Sequence, residues 1–147
     1  RDAAPLERVE QYLLALLQAV EEDEHTRLAF SIMSFKCEYV GELESELDAF
    51  RGNSRRLVTA LTKAYTEAKS RGELAAHLEP DLAALDTLAF VIGLLRLALL
   101  DRQGDTLRGR AHALIAAHVQ GRRAPAPQSQ PRRGARAALV PLAPHDR

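Results

Sequence analysis

From Leu82 to Leu100 the chain carries only two charged side chains, Asp86 and Arg96. A helix this apolar has to be covered on nearly all sides. Pro80 suits its first position, where the missing N–H costs nothing, and Asp81 favours the positive end of the helix dipole. A bilayer offers such cover but asks for roughly 20 apolar residues, and here only Thr87 to Leu95 lies between the two charges. Each charge would cost about 2.5–3.5 kcal/mol at the membrane centre. The expectation is a helix of a globular protein, held between its own domain and a partner, with no membrane involved. At about 100° per residue, Leu88, Val91, Ile92, Leu95 and Leu99 share one face, and Phe90, Gly93, Leu94 and Leu97 share the opposite one.

The flanking segments supply the cover. Leu6, Val9, Leu13, Leu16 and Val20 recur at steps of three and four, which predicts an amphipathic helix from Pro5 to Asp23. Glu21, Glu22 and Glu24 oppose the negative end of that helix and suit the start of the next, with Asp23 as its N-cap. A second helix, His25 to Tyr39, has one stripe of Leu28, Ile32, Phe35 and Tyr39 and another of Phe30, Met33, Cys37 and Val40; Gly41 ends it. Leu43, Leu47, Phe50, Leu57, Leu61, Tyr65 and Ala68 predict a third, from Glu42 to Arg71, stopped by Gly72. Glu73 to Glu79 connects to the apolar helix. Gly104-Asp105-Thr106 marks a turn, and a last helix runs to about Gln120 with Leu107, Ala111, Leu114, Ile115 and His118 along one side. Gly109 is expected to weaken it by about 1 kcal/mol. No strand pattern or internal repeat is visible. The predicted fold is all-α, a bundle of about five helices.

Charge divides the chain in two. Residues 1–121 carry a net charge of −5, whereas residues 122–147 hold six Arg, one Asp and five Pro. The expected organisation is one helical domain over 1–121 and a disordered Arg/Pro-rich tail over 122–147. An acidic body is a poor match for a phosphate backbone, and the tail lacks interleaved aromatics. Cys37 is the sole cysteine, so no intramolecular disulfide can form, and a reducing cytoplasm fits. Arg1 to Glu10 contains no apolar signal-peptide core, and the Arg1 start suggests a fragment or a processed product.

No phosphate loop, dinucleotide fingerprint or serine-nucleophile elbow is present. His112 and His118 lie about 120° apart on a helix and cannot chelate together, and His25, His77 and His145 have no partners at metal-ligand spacing. Glu38 and Glu42 read as a solvated face, and Cys37, on an apolar stripe, as a buried thiol. An enzyme, a metal and a cofactor are not expected.

Phe35-Lys36-Cys37-Glu38-Tyr39-Val40-Gly41-Glu42-Leu43 resembles the His-Lys-Cys-Glu-Phe…Glu-Met stretch of TetR-type repressors of multidrug efflux pumps, of the acriflavine-resistance-repressor type. Glu67-Ala68-Lys69-Ser70-Arg71-Gly72-Glu73-Leu74, followed by Glu79-Pro80-Asp81, is similar to the connector before their eighth helix. Ala89-Phe90-Val91-Ile92-Gly93-Leu94 is similar to their Gly-Tyr-Ile-x-Gly-Leu. The resemblance implies an effector-binding and dimerisation domain without the N-terminal helix-turn-helix. It places Ser31, Phe35, Val58, Leu61, Thr62, Leu88, Val91, Ile92 and Leu95 around a cavity for a hydrophobic small molecule. It also implies a homodimer through a four-helix bundle, with Phe90, Gly93, Leu94, Leu97, Leu114, Ile115 and His118 at the interface. DNA would be bound only through the absent helix-turn-helix. Phe35 and Ile92 stand where relatives often carry His and a polar residue, so the expected ligands are apolar. A ligand-free dimerisation module, pairing with full-length regulators, is the alternative.

Overall fold

The computed structural model describes residues 3–35, 44–101, 107 and 109–125. They form five helices, α1 (Pro5–Glu22), α2 (Glu24–Phe35), α3 (Glu44–Ser70), α4 (Pro80–Leu100) and α5 (Ala111–Gln120). Each coincides with an expected helix. The expected features at Lys36 to Leu43, at Gly104-Asp105-Thr106, and in the tail from residue 126, His145 included, lie outside the described residues.

Local chemistry sets the boundaries. Pro5 opens α1, and the Ala4 N–H donates to Glu7 Oε2 at 3.4 Å. Asp23 caps α2 through the backbone N–H groups of His25 and Thr26, both at 3.2 Å, and its side chain also takes the Thr26 hydroxyl. These bonds to the charged form hold the Asp23 carboxyl below its ordinary pKa. At the end of α3, Gly72 adopts φ of 71°. Its N–H donates to Lys69 O at 3.0 Å, while the Glu73 N–H reaches Ala68 O at 2.9 Å. This pair of bonds is a Schellman closure, and the left-handed residue at its centre favours glycine. α3 continues through Gly52 without interruption.

α1 is the internal strut. Leu6, Val9, Leu13, Leu17 and Val20 are buried, Leu17 taking the innermost place that the spacing assigned to Leu16. Around it stand the other four helices, and the most extensive pairing in the fold is that of α3 with α4. α4 is long and apolar enough to cross a membrane by length and composition. Here it lies against α1, α2 and α3 and buries Ala83, Ala84, Thr87, Val91, Leu94 and Leu95. α5 begins only at Ala111, and Gly109 stands before it with φ of 74°. The expected weakening of a helix interior therefore does not arise; the glycine belongs to the turn.

The folded body also extends past the expected boundary at Gly121. Ala75 N–H donates to Arg122 O at 2.9 Å, Ala124 N–H donates to Glu73 O at 2.7 Å, and Leu74 and Arg123 form an antiparallel bridge. This clasp ties the segment after α5 to the connector after α3. Arg8 pairs with Glu67 near the same end of the bundle, joining the first turn of α1 to the last turns of α3.

Candidate functional site

The nine residues assigned to a cavity come from three helices, and the structure divides them by depth. Leu61, Val91 and Leu95 are core residues, at most 5% exposed. Ser31, Val58, Thr62, Leu88 and Ile92 are half-buried, and Phe35 is exposed at the end of α2. The Arg96 guanidinium lies 4.9 Å from the centre of the Phe35 ring, a cation–π contact between α4 and α2. Phe30 on α2 meets Phe50 on α3 at 6.3 Å between ring centres. α2 is thus attached through ring contacts and partly covered side chains, and none of its residues is fully buried.

Two clefts adjoin these walls. One, of about 840 Å³, lies at the α1–α2 corner against the end of α4 and the start of α5, with Glu21, Glu24, Arg27, Ser31, Leu99 and His112 in its lining. The other, of about 500 Å³, runs between α1 and α3 past Tyr12, Leu57 and Leu61. Ser31 therefore faces the first and Leu61 the second. The remaining seven assigned residues line neither cleft.

Polar chemistry gathers on the other side of α4. Tyr65 OH and Thr87 Oγ1 stand 2.7 Å apart, and Thr87 Oγ1 lies 3.0 Å from His118 Nε2. One self-consistent arrangement has Tyr65 donating to Thr87 and Thr87 donating to an unprotonated Nε2. Burial favours that neutral imidazole and lowers the His118 pKa to about 4. The ring stacks on Phe90 at 3.9 Å and 14°. Arg122 Nη1 donates to His118 O at 2.6 Å, and its other arm pairs with Asp86. Burial likewise raises the Tyr65 pKa. Sequence reading missed this chain of groups. Its signal was Thr87, the one hydroxyl in the apolar stretch from Leu82 to Leu100.

The residues assigned to the dimer interface also divide. Gly93, Leu97 and Leu114 are exposed, and Phe90 and His118 are half-buried against each other. Leu94 and Ile115, at 4% and 0% exposure, belong to the chain's own core. The reason is helical register. Val91 points inward and carries Leu94 and Leu95 with it, while Ala111, Ile115 and Val119 form the inner row of α5. The outward face of α4 is instead Leu82, Leu85, Ala89, Gly93, Leu97 and Leu100.

Comparison with known proteins adds an independent line. The family described as MAATS-type transcriptional repressor, C-terminal region, of TetR type, matches residues 4–121. The HTH-type transcriptional repressor BepR of Brucella suis biovar 1 (strain 1330) is 32% identical over 122 residues, which is 83% of this chain. The chain spans 58% of the length of that relative.

Proposed function

Because the chain belongs to the TetR family of transcriptional repressors, as a C-terminal regulatory region of the MAATS type, we propose that it senses apolar small molecules and dimerises for a cytoplasmic regulator of multidrug efflux. The effector lodges between α2, α3 and α4 and favours one arrangement of these helices. A helix-turn-helix segment outside residues 1–147 reads DNA and is re-aimed by that choice. The observation that carries this reading is the state of α2. It contributes no fully buried side chain, whereas α1 contributes six buried residues. A wall held so lightly can move outward to admit a ligand against Val58, Leu88 and Ile92 without dismantling the α1 core.

Calorimetry with a panel of flat hydrophobic dyes and drugs tests the proposal. Binding is expected to be modest, to survive Thr62→Val, and to disappear in Ile92→Asp while the circular dichroism of that variant stays helical. Ile92 is the informative position because Val91 lies in the core, where a charge would unfold the chain. No heat from any compound would favour the ligand-free dimerisation module instead.

A further inference from the structure

The two charges in the apolar run of α4 differ in their surroundings. Asp86 is paired with Arg122. Arg96 lies 4.9 Å from the centre of the Phe35 ring and has no carboxylate partner among the described residues. Leu88, Ile92 and Arg96 follow one another at steps of four along α4, as Ser31 and Phe35 do on α2. Arg96 therefore stands at one end of the wall between α2, α3 and α4. On α3, Arg55 precedes Thr62 by two turns on the same side and is a second cation without a carboxylate partner among the described residues. Nearby acids do not neutralise these charges. Glu24 precedes Phe35 by eleven residues, about 16 Å along α2, which exceeds the screening length of about 8 Å in physiological salt. Asp101 lies about 140° around the helix from Arg96, and its Oδ2 accepts the Leu107 N–H at 2.8 Å. Residues 1–121 are acidic overall, with a net charge of −5, yet this wall ends in uncompensated positive charge.

We propose that Arg96 selects the charge of the effector, which has a flat apolar body and a carboxylate at one end, held by the guanidinium. This deepens the proposed function and rests on it. A guanidinium lying on a ring keeps its N–H edge free, and that edge matches the two oxygens of a carboxylate. The Phe35 contact thus stays in place while the anion binds. The apolar body lies along Ile92 and Leu88, and the carboxylate remains at the edge of the wall, where Arg96 is exposed and the cost of desolvation is small. A neutral molecule of the same shape gains only the apolar contacts. A cation is repelled by Arg96 and competes with it for the face of Phe35.

Calorimetry on the whole chain with three anthracene derivatives, alike in shape and bearing a carboxylate, a carboxamide or an amidinium, tests the assignment. The carboxylate is expected to bind about tenfold more tightly than the amide, and the amidinium most weakly. In Arg96→Gln the carboxylate should fall to the level of the amide. Arg96→Lys should keep part of the gap, since it supplies the charge without the planar fork. Loss of the Phe35 contact alone would loosen α2 for all three compounds alike, so the gap between them isolates the charge. Added salt should narrow that gap in the parent. Equal affinities in the parent, a gap that survives Arg96→Gln, or neutral dyes that bind where the carboxylate does not, overturn the role of Arg96 and leave the sensor standing. Silence from every compound, dyes included, overturns the sensor reading and this one with it.

Discussion

Thr87 has no exposed surface, yet its hydroxyl joins groups from two other helices. Thr87→Val keeps the shape and leaves Tyr65 OH and His118 Nε2 without their shared partner. A loss of about 1–3 kcal/mol is expected in urea unfolding. The imidazole at the end of the chain adds a pH dependence. Its folded pKa of about 4 lies below the ordinary 6.5, so between these values the unfolded chain binds more protons than the folded one. Stability from this group is complete above about pH 6.5 and drains away as pH falls toward 4. Asp86 and Arg122, the charges beside it, are already paired with each other. His118→Phe retains a ring to stack on Phe90 and removes the titrating group. The melting temperature of the variant should fall less steeply from pH 6.5 to 4 than that of the parent; equal slopes would show that the imidazole does not titrate against the fold.

Two glycines, one inside a helix and one just past its end, should respond to alanine in opposite directions. Gly52 lies within the continuous turns of α3, and a methyl group there would meet open space. Gly52→Ala should therefore stabilise by about 0.5–1 kcal/mol. Gly72→Ala forces a Cβ into φ of 71° and should cost about 1 kcal/mol. Paired urea titrations check both signs. The first four helices were legible because each has punctuation in the sequence: Pro5 and Pro80 at starts, Asp23 as a cap, Gly72 as a stop. What the periodicity could not give was the direction of α4. A helix apolar all round has no preferred inward side until its neighbours are placed. Spacing alone therefore turns Leu94 outward and gives no weight to Leu82, Leu85 and Leu100. Leu17 displaces Leu16 for a related reason, since adjacent leucines in α1 satisfy the same pattern. Of the assigned pocket, Leu61 was legible as an inner position from the spacing of α3, whereas Leu88, Val91, Ile92 and Leu95 were legible only as sharing one face of α4. Their division into sealed core and accessible wall depends on how closely α2 approaches, and no spacing encodes that.

At the scale of the molecule, the clasp carries backbone pairing past Gly121. Removing residues from Arg122 onward deletes two backbone hydrogen bonds to the connector and the Arg122–Asp86 pair. A chain ending at Gly121 should lose about 1–3 kcal/mol, while one ending at Pro125 should melt like the parent. Thermal unfolding of the two truncations locates the boundary. The clasp was invisible in the sequence because its bonds are made by backbone groups nearly fifty positions apart and require no particular side chains. The same clasp, with the Arg8–Glu67 pair, brings the incoming and outgoing segments of the chain to the end of the bundle where α3 stops. The domain is therefore suited to circular permutation: a short linker could join the two ends there and the chain be opened elsewhere. It could equally be inserted into a loop of another protein, where any change in the spacing of these helices would be felt by the host as a change in tension between two neighbouring points.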